Sequence, residues 1–227
     1  MEDKSFIDIC KKQTMIKTRQ LLSLENFIEQ INKNKLNGAI VECGVWKGGA
    51  MMWMIHCQKK YSMDRNIYLY DTFNGMPCPS VKKDCPRAMK IYNQITNNKY
   101  SRKYDRWHEE NKWAYAPLEL VKNNIKLVDY NNEKINYIVG DVCKTLNNSV
   151  PDEIAILRLD TDWYESTKKE LNVLFPKVVK NGIVIVDDYY TWRGSKDATD
   201  EFLEKYNGKI HVFDSKSVGG VFSFIKK

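Results

Sequence analysis

The chain lacks the cysteine and histidine patterns that mark zinc sites. Its 227 residues include three histidines and six cysteines, and no two cysteines form a C-x-x-C pair. Clusters of cysteine and histidine at zinc spacing are missing too, which argues against a structural zinc site. We therefore expect the cysteines to be reduced thiols.

Long apolar runs are also missing. Residues 1–5 have no apolar core of the kind found in signal peptides, and the longest apolar runs have the length of a strand. These absences argue against a transmembrane helix. The sequence predicts a cytoplasmic protein that has no membrane partner.

The positive charge is not concentrated in one run. The formal net charge is +7, but the lysines are scattered and no run of five or more basic residues occurs. Positive charge that is scattered along the sequence is typical of a soluble protein with a general positive electrostatic field. It is not typical of a nucleic-acid-binding surface. A nucleic-acid partner is therefore disfavoured.

The order of apolar segments predicts an α/β fold. After one helix over residues 5–35, short apolar strands alternate with helices through five strands, and a β hairpin follows. Alternation is typical of a parallel, doubly wound sheet with helices on both faces. The last of these helices before the fifth strand is predicted over residues 165–177, and that strand is predicted to begin at Gly182.

The length suits one domain with two additions. Residues 1–37 are predicted to form a helical cap, with a partner-binding helix as the alternative. Residues 78–116 have little regular pattern and many aromatic residues. They are predicted to form a lid or a substrate-binding insertion. The alternative is a helical decoration that packs its aromatic side chains on the core.

A glycine-rich segment, ECGVWKGG at 42–49, follows the first predicted strand. It matches neither G-x-G-x-x-G nor a phosphate loop. The next two strands end at Asp71 and Asp141, where an acid can meet a ribose hydroxyl or an adenine amino group. A helix cap or turn is the alternative for each aspartate. Three successive strands that end in this way favour a cofactor of the adenosine type.

Acids also follow the fourth and fifth strands. The run at 154–159 leads to Asp160 and Asp162, and the run at 182–186 leads to Asp187 and Asp188. The ends of these strands are neighbours in a doubly wound sheet, so the acids should lie close together. Two carboxylates about 4 Å apart repel by about 4 kcal/mol at an effective dielectric constant of about 20. Oxygen ligands favour Mg²⁺ as the balancing ion.

The same acids have a structural alternative. Asp160 and Asp187 would then cap the helices that follow them, or pair with Arg158 or Arg193. If a metal binds instead, coordination acidifies a hydroxyl group. Asp160 or Asp162 is then placed to accept the proton.

Five blocks of the sequence resemble the macrocin O-methyltransferase family, whose members depend on S-adenosylmethionine and a metal. The blocks are VECGVWKGG at 41–49, YDTFNGMP at 70–77, GD at 140–141 with TL at 145–146, LRLDTDWYEST at 157–167 and GIVIVDDY at 182–189. The resemblance implies a class I methyltransferase fold of the Rossmann-like type. Its seven-stranded sheet would have an antiparallel last strand, in agreement with the predicted hairpin.

The resemblance also implies roles for individual residues. The positions expected at S-adenosylmethionine are Glu42, Gly44, Gly48, Asp71 and Asp141. The positions expected at Mg²⁺ are Asp160, Asp187 and Asp188. Family members methylate sugar hydroxyls on antibiotic scaffolds, so a sugar, glycan or glycosylated small molecule is the expected acceptor. Aromatic residues expected to stack on the sugar are Trp107, Trp113 and Tyr164.

Two other functions remain as alternatives. One is a cofactor-binding partner subunit without catalysis, against which the acid cluster argues. The other is a metal-free methyltransferase acting on nucleic acid, against which the missing N-P-P-Y-type motif argues. Residues 78–116 do not match the family pattern, so the resemblance leaves the acceptor open. Homo-oligomerisation is left open as well.

Overall fold

The computed structural model describes residues 2–97, 99, 108–213 and 221–227. The helices are α1 (Glu2–Lys12), α2 (Thr18–Lys33), α3 (Gly49–Gln58), α4 (Pro86–Thr96), α5 (Leu118–Lys126), α6 (Val142–Thr145), α7 (Tyr164–Leu174) and α8 (Arg193–Lys205). The strands are β1 (Ala39–Cys43), β2 (Ile67–Asp71), β3 (His108–Glu109), β4 (Lys112–Trp113), β5 (Ile135–Val139), β6 (Ile154–Leu159), β7 (Val178–Val186), β8 (Ile210–Phe213) and β9 (Phe222–Lys226). Short 3₁₀ turns cover Asn132–Lys134 and Phe175–Lys177.

Seven of the strands in these ranges form one sheet, in the order β5-β2-β1-β6-β7-β9-β8. The pairs among β5, β2, β1, β6 and β7 are parallel, whereas β9 runs antiparallel to both β7 and β8. This confirms the predicted α/β fold and its antiparallel strand. The direction of winding reverses between β1 and β6, which puts a crevice at the carboxyl ends of these strands.

Helices α1 and α2 pack against α3, and α2 also contacts β6 and β7. Nearly every residue of α3 is buried, as expected for a helix packed on all sides. One face of α3 meets the sheet, and the other meets a stripe on α2 with three- and four-residue spacing: Leu21, Leu24, Phe27, Ile28 and Ile31. The N-terminal segment therefore completes the core on this side of the sheet.

The single helix predicted over residues 5–35 is wrong. The chain breaks between α1 and α2 because the carbonyl of Gln13 accepts a hydrogen bond from Gly49 N at 2.8 Å, on the glycine-rich loop. The new helix begins where Lys17 N donates to Gln20 Oε1 at 2.9 Å. A contact from outside the segment therefore divides an otherwise continuous helical pattern.

The predicted boundary between residues 177 and 182 is also wrong. Helix α7 ends at Leu174, and Pro176 lies in the 3₁₀ turn that follows. Proline lacks an amide hydrogen and cannot continue an α-helix. Strand β7 begins at Val178, with a shift of register against β6 and a left-handed Asn181 (φ 64°) before Gly182.

Residues 78–116 contain α4 and a small hairpin of β3 and β4. Trp107 lies outside the described residues. So do residues 217–220, which join the two strands of the predicted closing hairpin. Of the described helices, none combines the length and apolar character that crossing a membrane requires.

Candidate active site

A cavity of about 430 Å³ opens at the carboxyl ends of the parallel strands, which is within the range of small-molecule sites. Met15 and Ile16 of the linker between α1 and α2 line the cavity, and so does Gln20 of α2. Residues 78–116 line it through α4 and Trp113. The strand ends form its floor. Residues that are far apart in the sequence therefore enclose one cleft.

An acidic cluster lies at the centre of this floor. Asp160 follows β6, while Asp187 and Asp188 follow β7, and each offers a carboxylate oxygen within 4.8 Å of the other two. Asp188 is only 8 % exposed, and its Oδ2 atom has no hydrogen-bond partner in the described part of the chain. A buried acceptor without a partner, beside two further carboxylates, fits a hard cation such as Mg²⁺.

A buried arginine lies beneath the cluster. Nη1 of Arg158 is 2.6 Å from Glu42 Oε1 and 2.7 Å from Asp160 Oδ2, and Nη2 is 2.8 Å from Asp187 Oδ1. The ion pairing proposed as the structural alternative therefore exists for Arg158, whereas Arg193 pairs with Asp197. One guanidinium orients two of the three acids and leaves Asp188 outside its reach.

The electrostatics of the cluster favour uptake of positive charge. Burial raises the pKa of Asp160 and of Asp188 well above the ordinary range, and neighbouring carboxylates raise both further. The pKa of Asp162 is raised to about 7, again mainly by burial, while a hydrogen bond with Asp188 lowers it. In the absence of a cation these carboxyl groups therefore bind protons more readily than exposed carboxyl groups do.

Asp162 lies in the cleft although it follows the end of strand β6. The strand ends at Leu159, and Asp162 has a left-handed conformation (φ 65°). It nevertheless lines the cleft together with Asp160. The two carboxyl groups therefore share the cleft.

Asp71 organises the glycine-rich loop. Its Oδ2 accepts hydrogen bonds from Val45 N at 2.7 Å and Trp46 N at 3.0 Å, and its Oδ1 accepts one from Phe73 N at 2.8 Å. Asp71 also lines the cleft, where the predicted contact with ribose would be made. The indole nitrogen of the neighbouring Trp46 is a buried donor without a partner in the described ranges.

Gly44 and Asp141 also line the cleft. Gly44 has φ of 84°, and a Cβ atom there would lie 1.9 Å from the carbonyl oxygen of Asp160, so only glycine allows this approach. Asp141 caps α6 by accepting a hydrogen bond from Cys143 N at 2.9 Å. The helix cap, which was the alternative prediction for Asp141, is therefore observed.

Glu42 and Gly48 were predicted at the cofactor but are absent from the described cavity lining. The Glu42 side chain is buried and bonded to Arg158. Gly48 is the N-cap residue of α3, and a Cβ atom there would meet the Val121 and Ile125 side chains. Glu42 and Gly48 therefore do not line the cavity, although Gly44 and Trp46 of the loop between them do.

Three tryptophans join residues 78–116 to the rest of the site. Trp113, Trp163 and Trp192 pack edge to face, with centroids 5.5–5.6 Å apart. Trp113 and Trp192 line the cleft, and stacking of Trp113 on a sugar stays a prediction. The prediction for Tyr164 is wrong, because its ring is buried and its hydroxyl donates to Glu201 at 2.8 Å.

Sequence reasoning missed two buried acids. Asp84 accepts hydrogen bonds from Tyr164 N at 2.9 Å and Ser80 N at 2.7 Å, so it caps α7 from residues 78–116. Glu170 accepts a hydrogen bond from Thr161 Oγ1 at 2.9 Å behind the acidic cluster. Its position on the same face of α7 as Leu171 and Leu174 is a signal in the sequence that this acid is buried.

Comparisons with known proteins agree with this architecture. Residues 10–219 match the family model described as macrocin-O-methyltransferase (TylF). Demethyldecarbamoylnovobiocin O-methyltransferase of Streptomyces niveus is 32 % identical over 86 % of this chain and 69 % of its own length. A Streptomyces olivaceus enzyme, 8-demethyl-8-(2,3-dimethoxy-alpha-L-rhamnosyl)-tetracenomycin-C 4'-O-methyltransferase, is 29 % identical over 88 % of this chain and 70 % of its own length.

A solved structure of the O-methyltransferase NovP superposes with a TM-score of 0.75 at 28 % identity, covering 95 % of this chain and 82 % of that one. The resemblance drawn from the sequence blocks is confirmed: the chain belongs to the macrocin O-methyltransferase family and is an S-adenosylmethionine-dependent O-methyltransferase.

Proposed function

We propose that this enzyme transfers a methyl group to a hydroxyl of a sugar, glycan or glycosylated small molecule in a reaction that depends on Mg²⁺. The observation that carries the proposal is the convergence of Asp160, Asp187 and Asp188 in the cleft. The acceptor hydroxyl would meet the methyl donor at this point. The rhamnosyl group in the name of the Streptomyces olivaceus relative supports a sugar as the acceptor.

In this proposal Asp160, Asp187 and Asp188 hold the ion, which when bound makes an acceptor hydroxyl more acidic. Arg158 orients Asp160 and Asp187 from below, so their ligand oxygens are fixed before an ion arrives. Fixed ligands lose little freedom on binding, and this favours uptake of the ion. The bound ion would then contact Asp188 Oδ2, which has no hydrogen-bond partner in the described part of the chain.

Asp162 is the proposed proton acceptor, because it lies in the cleft beside the cluster without belonging to its three converging ligands. S-adenosylmethionine supplies a methyl group that its sulfonium has already activated. The acceptor oxygen takes this group as the carbon–sulfur bond breaks, and the hydroxyl proton passes to Asp162. The protein's main contribution is therefore alignment of the two reactants.

The proposed binding of the two reactants divides the cleft. The loop held by Asp71, with the free donor of Trp46, forms the end assigned to S-adenosylmethionine. Trp113 and Trp192 form an aromatic wall at the other end. Aromatic faces suit a sugar ring, which has an apolar side and polar edges.

The test combines turnover with direct binding. We expect a panel of glycosides to contain acceptors that are methylated with Mg²⁺ and not in excess EDTA. Asp188→Ala should abolish this turnover while S-adenosylhomocysteine still binds in calorimetry, because Asp188 is a proposed metal ligand. Calorimetric titration with Mg²⁺ should show binding to the parent and none to the variant. Undiminished turnover of Asp188→Ala, or of the parent in EDTA, would contradict the metal role.

A further inference from the structure

Residues 78–116 are rich in basic side chains, whereas the floor of the cleft is acidic. The segment contains nine lysine and arginine residues against four aspartate and glutamate residues. Arg102, Lys103, Asp105 and Arg106 lie outside the described residues, so the described part carries six basic residues against three acidic ones. One of these acids, Asp84, is buried as the cap of α7. The floor of the cleft carries six aspartates: Asp71, Asp141, Asp160, Asp162, Asp187 and Asp188.

Arg87 is the only lysine or arginine among the described residues that line the cavity. It lies near the start of α4, and its Cζ atom is 5.1 Å from the centroid of the Trp192 ring. No carboxylate in the described ranges lies within 4.0 Å of its nitrogens, and no hydrogen bond to it occurs there. Arg158 and Arg193, in contrast, are paired with acids. The guanidinium lies against the Trp192 ring at cation–π distance, which leaves its N–H donors available to a ligand.

The position of Arg87 relative to the reaction centre follows from Trp192. The amide of Trp192 donates to the carbonyl oxygen of Asp188 at 2.9 Å, which puts the tryptophan one helical turn beyond the acidic cluster. The Arg87 guanidinium contacts the Trp192 ring and therefore lies beyond Trp192, on the side away from the acidic cluster. A sugar with its reacting hydroxyl at the cluster would thus pass Trp113 and Trp192 and point a substituent at Arg87.

We infer that the acceptor sugar carries a phosphoryl ester, as a sugar phosphate or a nucleoside diphosphate sugar does, and that Arg87 binds this group. The inference rests on the proposed sugar O-methylation and names its substrate class. An arginine fork matches two phosphate oxygens, and charge-assisted hydrogen bonds of this type are strong. The aspartates of the floor repel the same group, so its charge fixes which end of the sugar enters first.

The test uses the full chain with bound S-adenosylhomocysteine. Calorimetry compares glucose 1-phosphate, UDP-glucose and dTDP-rhamnose with the methyl glycosides of the same sugars. At least one phosphorylated compound should bind ten-fold or more tightly than its methyl glycoside. Arg87→Met should weaken that compound roughly ten- to hundred-fold, as expected for loss of a hydrogen bond to a charged group. The variant should change methyl glycoside binding little.

Lys90→Met is the matched control, because Lys90 lies on α4 one turn from Arg87 and is not in the described cavity lining. It should keep the preference for phosphorylated sugars. Equal binding of phosphorylated and neutral compounds overturns the inference, and so does an unchanged preference in Arg87→Met. Binding and methylation of neutral glycosides alone would overturn it while leaving the proposed sugar O-methylation intact. Failure of every sugar to accept a methyl group would count against that function itself.

Discussion

Nη1 of Arg158 lies 2.6 Å from Oε1 of Glu42, and both side chains are only 1 % exposed. Burial raises the pKa of Glu42 to about 7 even though Arg158 lowers it. The guanidinium is shared with Asp160 and Asp187, so it cannot neutralise Glu42 alone. This pair connects β1 to β6 directly under the acidic cluster and gives the cluster a permanent cation before any metal binds.

Arg158→Met should cost about 3–5 kcal/mol of unfolding free energy, because it leaves buried carboxylates without their partner. Urea denaturation in EDTA at neutral pH measures this loss. Arg193→Met is the control, since Arg193 forms an exposed pair with Asp197 and should cost at most about 1 kcal/mol. Similar losses in the two variants would show that the buried network contributes no special stability.

Asp162→Asn should lower kcat by roughly 10²–10⁴-fold, the usual contribution of a positioned proton acceptor. The affinity for S-adenosylhomocysteine and for Mg²⁺ should stay within about two-fold of the parent, because the three proposed ligands remain. Steady-state kinetics and calorimetry provide these values, with the surface variant Asp197→Asn as the control. Full turnover in Asp162→Asn would mean that another group accepts the proton.

Glu170→Gln should stabilise the protein as the pH rises. Burial raises the pKa of Glu170 from 4.5 to about 8, so the folded state favours the protonated form. The unfolded chain releases this proton near pH 4.5, and stability therefore falls between about pH 4.5 and 8. The glutamine variant avoids this loss and should gain roughly 3–5 kcal/mol over the parent at pH 8, with a much smaller gain at pH 5.

Urea denaturation at several pH values in EDTA tests this expectation. The control is Glu165→Gln, since Glu165 is an exposed residue of the same helix. Its stability difference from the parent should not change over the same pH range. A Glu170→Gln difference that is flat with pH would mean that Glu170 is ionised throughout in the folded protein.

Gly194→Ala should loosen residues 78–97 from the site. A Cβ atom at Gly194 would lie 1.8 Å from Asp84 Oδ1 and 2.7 Å from Tyr164 N, so the cap of α7 must move. The expected loss is about 1–3 kcal/mol, as for other overpacked positions. Limited proteolysis should show faster cleavage within residues 78–97.

Gly208→Ala is the control for this change. No atom lies within 4 Å of a Cβ at Gly208, but the left-handed backbone (φ 81°) costs about 1–2 kcal/mol for a residue other than glycine. The two variants thus lose similar stability, and only Gly194→Ala should expose residues 78–97. Equal cleavage in both would mean that the contact with Asp84 does not hold this segment in place.

The acidic cluster was predictable from the sequence because each of its residues follows a strongly apolar strand. In a parallel sheet such ends collect at one edge, so strand order alone brings Asp160 close to Asp187. Arg158 carries a comparable signal, since an arginine inside a buried strand requires acidic partners. The sequence left its pairing as one alternative because it does not reveal which of several nearby acids an arginine contacts.

The remaining errors arise from contacts between distant segments. The break between α1 and α2 depends on the hydrogen bond from Gly49 N to the Gln13 carbonyl, which no local periodicity contains. Tyr164 follows the acidic motif and suggests a sugar-stacking residue, but Asp84 fixes the start of its helix from 80 positions away and the ring turns inward. Local patterns therefore predict the elements better than they predict the side chains that face the cleft.

The place of β9 in the sheet has a consequence for biogenesis. It lies between β7 and β8, both of which precede it in the chain. During synthesis on the ribosome, β7 therefore has an open edge until Phe222–Lys226 has emerged, although Asp187 and Asp188 are already present at its end. An open strand edge invites pairing with another chain. The nascent protein thus passes through an aggregation-prone interval that closes only when β9 is inserted.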